Sequence, residues 1–129
     1  MSTKAAFDWS SLAHFTGSLE RYRLTVAGKV LCTEGVHHLA NEAGCFWLVD
    51  VVASHQTKAA VRREEFQLWR IERHGKEGAL VTCRRDTNDK PVCRQEIEYT
   101  DFPFPEDGSF EFYGIREGEY LIMLLKSEY

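Results

Sequence analysis

The side chains best suited to catalysis are a serine, a histidine and an aspartate that lie close together, followed by acidic residues later in the chain. Asp50, Ser54 and His55 could act as orienting acid, nucleophile and base, the division of roles in hydrolytic triads. Glu96 and Asp101 add carboxylates suited to general acid–base catalysis. One functional hypothesis is therefore a hydrolase-like enzyme that uses Asp50, His55 and a carboxylate of the 96–101 segment, at Glu96, Glu98 or Asp101.

The same residues also have a purely structural interpretation. Successive helical residues point about 100° apart, so Ser54 and His55 can face one pocket only if the helix ends between them. The chain contains no GxSxG sequence, the signature of a nucleophile at a strand-to-helix turn. Asp50 is the sole charge in an apolar helix, and a buried carboxylate needs hydrogen bonds to offset its loss of water. We therefore expect Asp50 to be buried and hydrogen-bonded to the protein.

The histidines do not form a strong metal-binding pattern. His37 and His38 are adjacent, and adjacent side chains on a helix diverge, whereas helical ligand pairs lie four residues apart. The residue four positions after His38 is Glu42, and this pair alone is a weak ligand set. The glycine-rich phosphate-binding patterns GxGxxG and GxxxxGKS/T are absent. We predict neither a metal nor a cofactor, and a role for His37 and His38 stays open.

The four cysteines fit buried thiols better than a zinc site. Cys32, Cys45, Cys83 and Cys93 include no CxxC pair, and zinc sites in small domains usually use such pairs. In a reducing compartment, free cysteines behave as small apolar side chains. We therefore expect four mostly buried thiols.

A binding protein is the second functional hypothesis, and it requires only an exposed surface. Tyr99, Asp101, Phe102 and Phe104 lie in an irregular, proline-containing stretch that follows a predicted strand. Exposed aromatic side chains beside polar residues are typical of protein interfaces. Alternatively, Phe102 and Phe104 fold back over the core. We favour binding to another macromolecule and keep the hydrolase as the alternative.

The composition restricts which cellular compartment and which class of partner we expect. The chain has 129 residues, enough for a single domain over residues 1–129 with a sizeable core. Its formal net charge of -4 argues against a nucleic-acid partner, which requires a basic surface. No apolar stretch reaches the ~20 residues that cross a bilayer, and the N-terminus lacks the apolar core of a signal peptide. We expect a cytoplasmic protein with an unidentified protein partner. Its oligomeric state does not follow from the sequence.

The first half of the chain predicts helices. Asp8 is a candidate cap for a short helix, and Thr33 is a candidate cap for a longer one. A break at Ala43-Gly44 separates the longer helix from a second, apolar helix, because glycine readily adopts the left-handed conformation that ends helices. Residues 21–26 and 30–32 predict a small hairpin.

Five strands are predicted from residue 66 onward, because short runs typical of strands are bounded there by turn sequences. They are Phe66–Arg73, Leu80–Arg85, Val92–Tyr99, Phe110–Ile115 and Glu119–Lys126. If the first three strands are paired as hairpins centred on their turns, one face of the sheet carries apolar side chains. These are Trp69, Ile71, Val81, Cys83, Cys93, Ile97 and Tyr99. This pairing sets Cys83 opposite Cys93, and we expect both thiols to be reduced and without metal.

The pattern of elements predicts an α+β fold. We expect an antiparallel sheet of about five or six strands, with the helices of the N-terminal half on one face and the strand order left open. The last strand is apolar without alternation, which predicts a central position covered on both faces. We also expect the terminal Ser127-Glu128-Tyr129 to be ordered, with the tyrosine ring packed beside the sheet and its carboxylate near Arg70, Arg84 or Arg94.

Short segments spread over nearly the whole chain carry a family resemblance. They are Phe15-Thr16-Gly17, Thr33-Glu34-Gly35-Val36, Leu39-Ala40, Gly44, Trp47-Leu48-Val49-Asp50, Ala53-Ser54-His55-Gln56, Phe66-Gln67-Leu68-Trp69, Leu80-Val81-Thr82-Cys83, the stretch QEIEYTDFP at 95–103, and Ser127-Glu128-Tyr129. The chain resembles a family of small bacterial and phage or plasmid proteins known only as a domain of unknown function. Lys126 replaces the usual proline of that family, and His37-His38 lies outside its pattern. The resemblance implies association with mobile elements but no activity, cofactor or partner.

Overall fold

A six-stranded sheet forms the centre of the fold. The computed structural model describes residues 7–17, 20–25 and 29–129. The strands are β1 (Val30–Cys32), β2 (Phe66–His74), β3 (Gly78–Arg84), β4 (Cys93–Ile97), β5 (Ser109–Glu117) and β6 (Tyr120–Leu124). Their order across the sheet is β1-β6-β5-β2-β3-β4, and every neighbouring pair is antiparallel except β1 and β6, which are parallel. The predicted α+β class, with a sheet of six strands, is confirmed.

The α-helices lie in the first half of the chain, as predicted. They are α1 (Glu34–Glu42), α2 (Phe46–His55) and α3 (Ala59–Arg62), preceded by a 3₁₀ helix (Trp9–His14); a second, short 3₁₀ helix (Lys126–Glu128) follows β6. Asp8 caps the 3₁₀ helix by accepting a hydrogen bond from the Ser10 backbone N–H at 3.0 Å. Gly44 has a φ of 65°, the left-handed conformation that ends a helix, and it separates α1 from α2. The predicted break is therefore confirmed.

Strand β6 lies inside the sheet but second from its edge, not at the centre as predicted, and it determines how the N-terminal half joins the sheet. Residues 121–125 are all buried. Val30 lies opposite Leu121, so β1 pairs with β6. The predicted hairpin of residues 21–26 and 30–32 appears only as a single antiparallel bridge between Tyr22 and Cys32, and residues 26–28 of its turn lie outside the described residues.

The sheet registers confirm the alignment of β2, β3 and β4. Trp69 lies opposite Cys83, which lies opposite Cys93, and all three are buried. The helices cover this face, and the core joins side chains from both layers, including Val36, Leu39, Leu48, Val49, Val52, Trp69, Ile71, Val81, Phe112, Leu121 and Met123. Tyr99 corrects the prediction for this face. Because β4 ends at Ile97, Tyr99 no longer follows the alternation, and its side chain is 70% exposed.

Asp50 corrects the prediction made for α2. Its side chain is exposed, not buried. It lies on the same side of the helix as Phe46, Trp47 and Ser54, since residues at these spacings fall within about 100° around the axis. Phe46 is itself 40% exposed. The expectation of burial rested on the apolar character of α2 as a whole, whereas the helix turns this side toward water.

The segment after β6 completes the beginning of α1. Glu128 Oε1 accepts hydrogen bonds from Thr33 Oγ1 at 2.6 Å and from the Leu125 N–H at 2.9 Å. Its Oε2 accepts from the Gly35 N–H at 3.1 Å, one of the amides that a helix leaves unpaired in its first turn. A side chain at position 35 would meet the Glu128 carboxylate and Leu125. A carboxylate from the distant end of the described chain therefore caps α1, at the end where the helix dipole favours negative charge.

The order predicted for the terminal segment thus comes mainly from Glu128, and the Tyr129 ring contacts the sheet as predicted without being buried. Tyr129 is 76% exposed, although its ring lies 5.8 Å from that of Phe66 and 5.3 Å from that of Tyr113, centroid to centroid. The three arginines predicted near the terminal carboxylate have other partners: Arg70 faces Glu111 at 3.9 Å, Arg84 donates to Thr82 at 2.6 Å and Arg94 faces Glu96 at 3.5 Å.

Substitution of Glu128 by alanine should destabilise the protein by about 1–2 kcal/mol, the range for loss of a helix cap. The cause is that the Gly35 N–H and the Thr33 hydroxyl lose their acceptor. Urea denaturation followed by circular dichroism measures the change. Glu106→Ala, at an exposed turn glutamate, is the matched control and should leave the midpoint nearly unchanged. Equal effects of the two substitutions would contradict the capping role.

Candidate functional site

The hydrolase hypothesis requires Asp50 and His55 to share a pocket, and the structure separates them. Being five residues apart on α2, their side chains point about 140° apart around the helix axis. His55 is 5% exposed and lies against Trp69, with ring centroids 6.2 Å apart. Asp50 is exposed on the outer side of the same helix. The two side chains therefore face different environments.

His55 is held by the edge strand β4. Its Nε2 lies 2.7 Å from the side-chain oxygen of Gln95. Because that oxygen can only accept, Nε2 carries the proton and donates it. Within the described part of the chain, His55 Nδ1 is buried without a hydrogen-bond partner. The Nδ1 atom thus lies in the protein interior and not in a substrate cleft.

The two further candidate carboxylates lie away from His55. Side chains alternate along a strand, so Gln95 points toward the helices and Glu96 points to the opposite face of the sheet. The Glu96 carboxylate lies 3.4 Å from His74 Nε2 and 3.5 Å from a guanidinium nitrogen of Arg94. Asp101 is exposed in the loop after β4. The structure therefore does not bring the predicted catalytic residues together.

A serine–histidine contact that the sequence pattern did not indicate lies beside the N-terminal 3₁₀ helix. Ser11 Oγ is 3.2 Å from His38 Nε2, but the hydroxyl donates its proton to the Asp8 carbonyl oxygen at 2.7 Å. Since a hydroxyl carries one proton, His38 donates in this contact and does not activate Ser11 as a nucleophile. His37 stacks on Tyr22 with ring centroids 4.6 Å apart. Both histidines therefore make structural contacts at the edge of a groove of about 230 Å³.

The candidate binding segment folds back onto the core through two of its aromatic side chains. Phe102 is 5% exposed, and Trp9 lies over it with a ring-centroid separation of 5.8 Å. The indole N–H of Trp9 also donates to the Pro103 carbonyl oxygen at 2.8 Å. The guanidinium of Arg73 lies 5.1 Å from the centre of the Phe104 ring. Phe102 and Phe104 thus anchor the segment, as the alternative interpretation of the sequence had it, and Phe102 presents no contact surface.

Tyr99 is the exposed aromatic residue of the segment, and the backbone beside it is fixed. The Thr100 N–H donates to the Glu77 carbonyl oxygen at 2.8 Å, and Thr100 Oγ1 accepts from the Phe102 N–H at 3.1 Å. The Tyr99 side chain is nevertheless 70% exposed. Exposed acidic side chains accompany it at positions 77, 98 and 101, with Lys76 as the nearby cation. The site therefore presents one aromatic ring within a mainly acidic rim.

Two larger grooves are lined by charges of both signs. The first, of about 430 Å³, contains Arg70 and Lys126, and both pair with the Glu111 carboxylate between them. The second, of about 500 Å³, lies beside the β3–β4 loop, where Arg85 pairs with Asp89 at 3.6 Å and the lining adds Arg63, Lys90 and Glu64. The excess of one positive charge in the second groove is a weak basis for selecting a ligand, so the segment of Tyr99 stays the better candidate site.

The family assignment follows from comparison with family models. A model described as a family of unknown function, DUF6876, matches residues 9–129, a range that contains both Trp9 and the segment that it anchors. The chain belongs to DUF6876. The resemblance seen in its short segments is thereby confirmed. Comparison of this DUF6876 chain with the curated proteins and with the solved structures found no match.

The DUF6876 chain also contains a buried polar network that the sequence pattern did not indicate. Gln67 is fully buried and exchanges two amide hydrogen bonds with Gln56, at 2.9 and 3.1 Å. The Trp69 indole N–H donates to the Gln67 side-chain oxygen at 3.0 Å, and Arg116 donates to that of Gln56 at 3.1 Å. Burial, and then the nearby Arg62, lower the pKa of Arg116. The sequence feature that could have indicated this network is Gln67, a polar residue at a core-facing position of β2.

None of the helices described has the length and apolar character needed to cross a membrane. Across residues 7–17, 20–25 and 29–129, no cluster of three or more His, Cys, Asp or Glu side chains is placed to hold a metal ion.

Proposed function

We propose that this chain is a small cytoplasmic protein, carried with mobile elements, that binds a basic segment of another protein through Tyr99. The compartment and the mobile-element association rest on composition and on the family resemblance. The binding surface rests on one observation: the Tyr99 ring is 70% exposed while the backbone that carries it is held by hydrogen bonds. A ring positioned before binding loses little conformational freedom on binding.

Charge around the ring supports a basic partner. The side chains of Glu77, Glu98 and Asp101 are exposed near Tyr99. Complementary charge at the rim of an interface accelerates association and selects the partner. An arginine or lysine of the partner could place its cation over the tyrosine ring while it faces these carboxylates. In this proposal Phe102 and Phe104 position Tyr99 and Asp101, and the partner contacts the latter two.

Photo-crosslinking tests the proposal in the organism that encodes the chain. The full chain carries p-benzoylphenylalanine at position 99, and a matched chain carries it at position 129, where the tyrosine is equally exposed. We expect a discrete protein adduct from position 99 only, with the crosslink mapped to a basic stretch of the partner. Glu98→Lys in the same chain should reduce that adduct severalfold, because it reverses a rim charge. Equal adducts from both positions, an adduct unaffected by Glu98→Lys, or crosslinking to nucleic acid would contradict the proposal.

A further inference from the structure

Cys83 and Cys93 occupy directly opposed positions on the antiparallel strands β3 and β4. Opposed residues in such a pair have Cα atoms about 4.5 or 5.5 Å apart, depending on the hydrogen-bonding position. Both separations fall within the ~4.4–6.8 Å found across disulfides. Both thiols are free and lie on the face that the helices cover. The backbone therefore already has the spacing that a Cys83–Cys93 disulfide requires.

The two thiols differ in acidity because their side chains lie opposite each other and interact. The interaction with the Cys83 side chain lowers the pKa of Cys93, whereas the interaction with Cys93, together with burial, raises the pKa of Cys83. The ammonium group of Lys58 lowers the pKa of Cys93 further, against the opposing effect of burial. By contrast, burial alone raises the pKa of Cys32 to about 12. Among Cys32, Cys83 and Cys93, Cys93 is thus the thiol with the best-stabilised thiolate, the form that reacts with disulfides.

Solvent accessibility also indicates that Cys93 is the more reactive thiol. Strand β4 is the edge of the sheet, so Cys93 has a neighbouring strand on one side only. Its side chain is 9% exposed, whereas those of Cys32 and Cys83 have no exposed surface. A small reagent that approaches the edge of the sheet therefore meets Cys93 first.

We infer that Cys93 and Cys83 form a reactive dithiol that low-molecular-weight disulfides of the glutathione type oxidise to a disulfide between β3 and β4. The Cys93 thiolate attacks one sulfur of glutathione disulfide, the sulfur–sulfur bond breaks, and one glutathione thiolate leaves and takes up a proton. Cys83 then loses its proton and attacks the Cys93 sulfur of the mixed disulfide, and the second glutathione leaves. The two cysteines lose two electrons and two protons, and glutathione disulfide is reduced to two thiols.

This chemistry lies outside the proposed binding function and changes the mechanics of the edge strand. A Cys83–Cys93 bond closes the loop of residues 84–92 and ties β4 to β3 covalently. Such a cross-link restricts the unfolded chain, so the oxidised protein should melt at a higher temperature than the reduced protein. Cys93 becomes the residue that carries glutathione when Cys83 is absent.

The test treats the purified, reduced full chain with mixtures of glutathione disulfide and glutathione at neutral pH, alkylates the remaining thiols under denaturing conditions, and maps peptides by mass spectrometry. We expect one internal disulfide, a loss of about 2 Da, in the peptide pair that contains Cys83 and Cys93. Cys83→Ser should accumulate glutathione on Cys93, and Cys93→Ser should leave Cys83 unmodified. Cys32→Ser is the matched control and should form the same linkage as the natural chain.

Lys58→Gln separates the reactive-thiol proposal from mere proximity of two sulfurs. Loss of the ammonium charge should slow the first reaction of Cys93 by roughly twofold without changing the position of the final disulfide. Circular dichroism of each variant verifies that it is folded. Absence of the Cys83–Cys93 linkage in the folded natural chain would overturn the inference, and so would glutathione on Cys32 or Cys45 at the rate seen on Cys93.

Discussion

Substitution of Gly78 by alanine is expected to destabilise the protein by about 3 kcal/mol, the upper part of the range for overpacking a closed site. A methyl group at this position would meet the carbonyl oxygen of Ile97 directly, and it would come within 2.9 Å of the His74 oxygen and 3.0 Å of the Glu98 oxygen. All three atoms belong to the backbone, so no side-chain rotation relieves the contact. Strand β4 would have to move away from the beginning of β3.

Urea denaturation of the variant measures this loss, and Gly75 in the same turn provides the control. Gly75 has a φ of 72°, and a side chain there meets nothing within 4 Å. Asparagine tolerates the left-handed conformation better than other non-glycine residues, so Gly75→Asn should cost much less than Gly78→Ala. A Gly78→Ala protein with an unchanged denaturation midpoint would show that β4 adjusts freely at this point.

Replacement of Gln67 by leucine should have an effect of similar or greater size, about 3–5 kcal/mol. Leucine is one heavy atom smaller than glutamine and removes both ends of its amide. The Trp69 N–H would lose its acceptor, and the Val61 carbonyl oxygen would lose the donor that lies 3.0 Å from it. The Gln56 amide would lose both of its bonds to Gln67. Each stranded buried polar group costs roughly 1–3 kcal/mol.

A double-mutant cycle distinguishes stranded partners from simple loss of packing. Gln56→Leu combined with Gln67→Leu removes both members of the amide pair, so the double variant should be more stable than the sum of the single effects predicts. Thermal and urea denaturation of the four proteins provide the measurement. Strict additivity would mean that the two amides stabilise the fold independently, contrary to the network seen here.

The parts of the fold that the sequence predicted are those determined by neighbouring residues. The conformational preference of Gly44 predicted the break before α2. The alternation of apolar and polar residues on both sides of two turns predicted the register of β2, β3 and β4, including the opposed positions of Cys83 and Cys93. The unalternating apolar run correctly predicted that β6 is buried, although the strand lies second from the edge and not at the centre of the sheet. The pairing of β1 with β6 was not predicted, because Val30 and Leu121 lie 91 residues apart and no local pattern connects them.

The same distinction between local and long-range information applies to the candidate site. The aromatic content of the segment after β4 was visible, but the roles of its residues depend on a distant partner, since Trp9 donates to Pro103 from the other end of the chain. Asp50 was misplaced because bulky apolar residues were assumed to be buried, whereas Phe46 is 40% exposed beside it. Tyr99 was assigned to the core face because the strand was taken two residues too far.

The late position of β6 in the chain has a consequence for synthesis. Residue 121 leaves the ribosome 91 residues after its partner in β1, a delay of roughly 5–20 s at typical elongation rates. Until then β1 lacks its neighbour and α1 lacks the carboxylate that caps it, so the apolar sides of α1 and α2 have no completed sheet to cover them. A nascent chain of this protein therefore depends on chaperones or on a non-native collapsed state to protect these surfaces until translation of the last strand.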